Sequence, residues 1–220
     1  MRFCLLIVVL FGMKILNAQF DFSFKDSIPV GVFGQNLQFP WSGGLNNAQF
    51  SNLDFDYDGD LDLLIFDRSS DQIRLFENSA NTYVPYFNAS ALFPSDIRYR
   101  LFSIDYNQDG KNDLFTYGIG GIKVYKNIGN STIGLQWELA KNLLYSDNWG
   151  VSLNLYVSSA DIPAIVDVDN DGDIDILTYH ISGEYLQYHK NLSKELYGHS
   201  DSLQFELRNE CWGGFREDIN

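Results

Sequence analysis

Short apolar runs separated by clusters of Asp, Asn and Gly set the rhythm of the chain. Leu63 to Phe66, Leu114 to Tyr117 and Ile174 to Thr178 are near-continuous hydrophobic stretches, of the length expected for strands buried on both faces. After a polar gap each is followed by an alternating segment: IRLFEN (Ile73 to Asn78), IKVYKN (Ile122 to Asn127) and LQYHKN (Leu186 to Asn191). A period of two predicts a further strand at each place. Looser segments near Thr82 to Val84, Gln136 to Leu139 and Gln204 to Leu207 supply candidates for a last strand per unit.

What precedes each apolar run is the same acidic phrase: DFDYDGDLDLL from Asp54, DYNQDGKNDLF from Asp105 and DVDNDGDIDIL from Asp167. The central glycines Gly59, Gly110 and Gly172 lie 51 and 62 residues apart, and the Asn closing the alternating segment follows its glycine by 19, 17 and 19 residues. A fixed upstream motif with a matched downstream partner marks an internal repeat. Four strands in units of this length are the pattern of a propeller blade, and Phe66, Phe76, Tyr117, Tyr125 and Tyr188 are expected to pack between blades. The expected fold is all-β: a partial β-propeller of about three four-stranded antiparallel blades (46–97, 98–158 and 159–220). For residues 19–45, which carry PVGVFGQ and PWSGG, two readings stay open, a strand donated to the propeller edge or a simple lead-in.

The acidic phrases have the chemistry of a metal loop. Oxygen donors recur at positions one, three, five and nine: Asp54, Asp56, Asp58 and Asp62; Asp105, Asn107, Asp109 and Asp113; Asp167, Asp169, Asp171 and Asp175. Position seven varies (Asp60, Lys111, Asp173), as expected of a residue that ligates through its backbone carbonyl. Glycine at position six permits the sharp turn that gathers the donors. An all-oxygen set in a flexible loop suits Ca²⁺ better than Mg²⁺. Two carboxylates about 5 Å apart repel by roughly 3 kcal/mol at an effective dielectric of about 20, so such a loop calls for a cation. The second copy, with Asn107 and Lys111, has a side-chain charge of −2 against −5 for the other two, and is expected to bind most weakly. An EF-hand is disfavoured, because position twelve is Ile65, Thr116 or Thr178 rather than a bidentate Glu and lies in strand-like sequence.

Through DFDYDGDLDLLIF, DYNQDGKNDLFTY and DVDNDGDIDILTY the chain resembles the FG-GAP or VCBS-type repeats of integrin-like β-propellers. The resemblance covers roughly residues 46–220. It implies a loop between adjacent strands of a blade that holds calcium, in a propeller serving adhesion or ligand binding. The stretch SGGLNNAQFSNLDFDYDGDLDLLIFDR is also similar to secreted surface proteins of the Bacteroidota, which commonly end in a type IX sorting domain; nothing here resembles one. Propellers typically need at least about four blades to close, so the chain is expected to be a piece of a longer protein.

Composition narrows the class. The 220 residues are 45% hydrophobic, with 17 Phe and 13 Tyr, which fits a folded, sheet-rich protein. Arg2, the apolar run Phe3 to Met13 and Leu16-Asn17-Ala18 read as a secretory signal with cleavage before Gln19; the apolar run is too short to span a bilayer, which takes roughly 20 residues. Losing Arg2 and Lys14 takes the net charge from −14 to −16 and leaves Cys211 as the mature chain's one cysteine. Such acidity argues against nucleic acid and anionic lipid as partners. His180, His189 and His199 follow no zinc spacing, and His189 stands where the sister repeats hold Phe76 and Tyr125. No serine elbow, phosphate loop or Cys–His signature is present, so no catalytic residue is expected. The expectation is therefore a secreted or cell-surface calcium-binding module for an extracellular protein or glycan, with part of a propeller-type polysaccharide lyase or hydrolase as the alternative.

Overall fold

The structure is a computed structural model that describes Lys25, residues 28–80 and residues 82–217. The expected signal segment and its cleavage point lie outside the described residues. The chain divides into two compact units, Met1–Gly43 and Gly44–Asn220. In the first, β1 (Gly31–Val32) and β2 (Gln35–Asn36) form a small antiparallel hairpin. Phe33 and Gly34 turn it with φ of 50° and 80°, the double positive φ that matches the twist of paired strands.

The second unit is nearly all β. Its first sheet is the meander β3 (Ala48–Leu53), β4 (Asp62–Asp67), β5 (Gln72–Ser79), β6 (Thr82–Tyr86). The second repeats that order with β7 (Leu101–Ile104), β8 (Asp113–Gly118), β9 (Gly121–Asn127) and β10 (Trp137–Lys141). All pairings in both are antiparallel. Each expected apolar run lies in the second strand of a sheet, and each alternating segment in the third. Among the described residues, no helix is long and apolar enough to cross a membrane.

The third sheet departs from four strands. A hairpin of β11 (Tyr145–Asn148) and β12 (Val151–Asn154) precedes the meander β13 (Ala164–Val166), β14 (Asp175–Tyr179), β15 (Leu186–Asn191), β16 (Phe205–Asn209). The hairpin attaches to the meander's outer edge, because β11 pairs in parallel with β16 through Ser146 opposite Phe205 and Asp147 opposite Glu206. The result is six strands in the order β12-β11-β16-β15-β14-β13. Parallel pairing between segments so far apart in sequence leaves no local pattern to read. A short helix, α1 (Ser193–Tyr197), bridges β15 to β16 and ends on Gly198 at φ 76°.

Two apolar clusters join the sheets. Leu53, Leu64, Phe66, Leu75, Leu101 and Leu114 belong to the first, and Phe115, Val124, Leu155, Ile176 and Phe205 to the second. Strand β8 serves both: Leu114 faces one cluster and its neighbour Phe115 the other, each fully buried. That is why its sequence is continuously apolar, since a strand covered on both faces has no solvent side to mark with polar residues.

Arginines tie the sheets where their chains enter. Arg100, fully buried, donates to the carbonyls of Ser158 (2.6 Å), Gly121 (2.7 Å) and Asp161 (3.1 Å). Burial pulls its pKa down to about 10, which leaves it charged at neutral pH. Arg68, after β4, donates to Tyr99 O ahead of the second sheet and to Ala160 O ahead of the third, both at 2.8 Å.

Candidate metal centres

The three acidic phrases form the turns between the first and second strands of the three meanders, β3 to β4, β7 to β8 and β13 to β14. Their backbones superpose in character. Position four is left-handed in each (Tyr57 at 63°, Gln108 at 63°, Asn170 at 62°), as is the glycine at position six (Gly59 at 96°, Gly110 at 83°, Gly172 at 92°). Only glycine takes those last values without strain.

Carboxylates inside each turn cap its own amides. The glycine N–H donates to the position-one aspartate: Gly59 to Asp54 at 3.2 Å, Gly110 to Asp105 at 2.9 Å and Gly172 to Asp167 at 3.0 Å. The position-seven N–H donates to position five: Asp60 to Asp58, and Lys111 to Asp109, both at 3.0 Å, and Asp173 to Asp171 at 3.1 Å. In the first two turns position five also donates to position three, Asp58 to Asp56 at 3.3 Å and Asp109 to Asn107 at 3.1 Å.

Position nine does a different job. Asp62, Asp113 and Asp175 open the second strand and are buried. One oxygen of each accepts the N–H of position two, from Phe55 (3.0 Å), Tyr106 (3.3 Å) and Val168 (3.0 Å). The other accepts the N–H of the Asn that ends the alternating segment, from Asn78 (2.8 Å), Asn127 (2.8 Å) and Asn191 (2.7 Å). The near-constant spacing in sequence thus has a physical cause, a carboxylate that fastens the turn to the third strand. Burial raises the pKa of all three, against the pull of those N–H bonds, and pushes Asp113 up to about 7. A cation at the turn would lower them again. Asp175 Oδ2 also accepts from the Tyr188 hydroxyl at 3.1 Å; every other oxygen of the three accepts one of these bonds and keeps a lone pair, so a stapled carboxylate can still ligate.

Two acidic clusters can hold a metal ion. Asp54, Asp56 and Asp58 each bring a carboxylate oxygen within 4.8 Å of the others, as do Asp167, Asp169 and Asp175. In the first, Asp54 Oδ1 is buried without a hydrogen-bond partner, which is what a hard cation's oxygen ligand looks like before the ion is added. The residues therefore fit such an ion at the first turn. Among the described residues the second turn supplies no such carboxylate trio; Asn107 occupies one place, and Lys111 Nζ lies 3.7 Å from Asp109.

The third turn already has a cation of its own. Lys190 Nζ, on a side chain 16% exposed, bonds Asp169 and lies 2.7 Å from both Asp171 and Glu195. Burial opposes its charge, but the three carboxylates outweigh burial and hold its pKa well above the usual value. The same ammonium holds the Asp171 carboxyl low against its own burial. Sequence reading missed Lys190 because it lies in β15, 21 residues beyond Asp169, and nothing local marks a strand lysine as a loop's partner.

Neighbouring turns are linked. Tyr57 Oη donates to Asn127 Oδ1 in the second sheet at 2.7 Å, Gln108 Nε2 donates to Gly172 O in the third turn, and Asn112 Nδ2 donates to Asn52 O in β3 at 2.7 Å. Ordering one turn therefore restrains the next.

These features define a class: a propeller-like all-β protein whose sheets carry repeated acidic turns at corresponding ends. Comparison with protein families agrees, for an FG-GAP-like repeat is found at residues 105–178, from the first aspartate of the second turn through most of β14. No curated protein and no solved structure matches the chain.

Proposed function

We propose that the protein is a secreted or cell-surface binding module, not an enzyme, in which Ca²⁺ ions at the acidic turns stiffen the sheets so that they present a face to an extracellular protein or glycan. The supporting observation is the threefold turn geometry, with its clustered carboxylates and the orphaned Asp54 Oδ1. Asp54, Asp56, Asp58 and Asp62 would hold the first ion, with the Asp60 carbonyl, and the equivalent residues from Asp105 and Asp167 the others. The bound ion supplies charge neutralisation and nothing else. Side chains then do the rest: position nine fastens the turn to the third strand, and Tyr57 and Gln108 pass that order to the neighbouring sheet.

Each ion at 100 times its dissociation constant would add about 2.7 kcal/mol of stability. Calorimetric titration of the metal-free protein with CaCl₂ and with MgCl₂ tests the reading, alongside melting in calcium and in EDTA. The expected result is calcium uptake at the first turn with a rise in melting temperature and little response to magnesium. No heat and an unchanged melting temperature would overturn it.

A further inference from the structure

The inserted hairpin gives the third sheet an outer edge unlike those of the other two. The first sheet ends on β6, where Pro85 has no N–H to offer a further strand. The second ends on β10, which carries Glu138 and Lys141 and a bulge between Leu139 and Lys141. Proline, charge and bulges are the usual means of keeping a sheet edge from pairing with another chain. The third sheet ends on β12, Val151-Ser152-Leu153-Asn154, which has none of them. The opposite edges turn towards one another, with β3 against β7 and the segments that enter β7 and β13 held by Arg68 and Arg100. Only β12 is left both open and unguarded among the described meander edges.

The hairpin's geometry fixes which backbone groups β12 leaves unpaired. Trp149 and Gly150, at φ 58° and 87°, form a two-residue turn, which closes on the hydrogen-bonded pair of Asn148 and Val151. Hydrogen-bonded and open pairs alternate along an antiparallel ladder, so Leu153, opposite Ser146, also spends its N–H and C=O on β11. Those of Ser152 and Asn154 point away from the sheet. Val151 and Leu153 are 56% and 46% exposed. The edge therefore presents two donors and two acceptors in a row, beside two exposed aliphatic side chains.

We propose that β12 is a self-association surface, at which a second copy of the chain adds its own β12 in antiparallel register. The occupant is a strand, because main-chain donors and acceptors alternating at this spacing are matched by another strand. A second copy fits by symmetry. With a twofold axis at Leu153, Ser152 of each copy pairs with Asn154 of the other, which satisfies all four outward groups on each side and sets Leu153 against its own image. Charge points the same way: the chain carries −14 overall, so copies repel across most of their surface, whereas β12 itself holds no charged side chain. The two six-stranded sheets would then join into one. So short a pairing makes a small interface, and the dimer is a weak one, with a dissociation constant of about 10–100 µM.

The association uses no residue of the acidic turns, so its outcome is separate from that of the calcium titration. The test is sedimentation velocity on the full chain from about 1 to 300 µM, in reducing buffer so that Cys211 cannot link copies. A reversible monomer–dimer equilibrium is expected, tightening as NaCl screens the like charges. Ser152→Pro deletes an N–H that bonds nothing in β11 and sets a ring in the partner's way. Leu153→Lys places two ammonium groups opposite each other at the axis. Each should weaken association at least about tenfold, with melting curves confirming the fold, whereas Thr82→Lys on the guarded β6 edge should leave it unchanged. Should Ser152→Pro fail to fold, Leu153→Lys carries the test. A monomer at every concentration, a dimer that the folded β12 variants leave intact, or equal weakening by Thr82→Lys would each overturn the proposal.

Discussion

The first and third repeats carry turns with the same five aspartates and the same side-chain charge of −5, yet the fold surrounds them differently. At the place in the third strand where the third repeat has Lys190, the first has Glu77. One turn is partly offset from within by an ammonium touching Asp169, Asp171 and Glu195, whereas the other has an acidic residue at that strand position; each keeps a buried carboxylate oxygen without a hydrogen-bond partner, Asp54 Oδ1 and Asp173 Oδ1. One residue earlier, Phe76 in the first repeat becomes His189 in the third, a buried ring that shares a 2.9 Å hydrogen bond with the Ser146 hydroxyl of the inserted hairpin. Two adjacent substitutions in one strand thus separate a turn with no strand ammonium among its carboxylates from a turn that has one, and an aromatic strand position from a buried histidine.

The largest expected effect tests the histidine. The unfolded His189 takes up a proton near its usual value of 6.5, whereas the folded one resists until about 4. Between those values the unfolded state binds more protons, so the contribution to stability is complete above pH 6.5 and declines as pH falls, by about 3 kcal/mol at pH 4. Urea denaturation across this window should show the slope in the wild type and lose that component in His189→Phe. Next, Asp54→Ala should remove about 2.7 kcal/mol of calcium-dependent stability at saturating calcium, measured as the difference between denaturation in calcium and in EDTA. Lys190→Met should cost about 2 kcal/mol in metal-free buffer, because three carboxylates lose a charged hydrogen-bond partner, and calcium should recover more stability in this variant than in the wild type. The smallest effect is expected of Glu77→Lys, which brings the third repeat's charge to the first turn and should weaken its calcium binding about fivefold, or roughly 1 kcal/mol. An unchanged calcium response in both lysine variants would dissolve the contrast between the turns.

Much of this architecture was legible in the chain. The apolar runs at Leu63, Leu114 and Ile174 became β4, β8 and β14 because a strand covered on both faces must be apolar throughout. The turns were legible because left-handed backbone demands glycine, and clustered carboxylates are too costly to be accidental. The tie between position nine and the Asn of the third strand was visible as a spacing, though not as a bond, since the donor is a backbone N–H that any residue would supply. The partners of Lys190 and of His189 were not legible. Both depend on residues brought together from distant segments, Lys190 with Asp169, and His189 with Ser146.

By itself, then, the sequence determined what short-range physics controls: strand periodicity, turn chemistry and the recurrence of both. The tertiary structure alone decided which charges meet and where the inserted hairpin lies. Tyr145–Asn154 follows the second meander in the chain but hydrogen-bonds to the third. Coulombic and hydrogen-bond energies depend on distance in space, and a linear sequence carries that distance only for near neighbours.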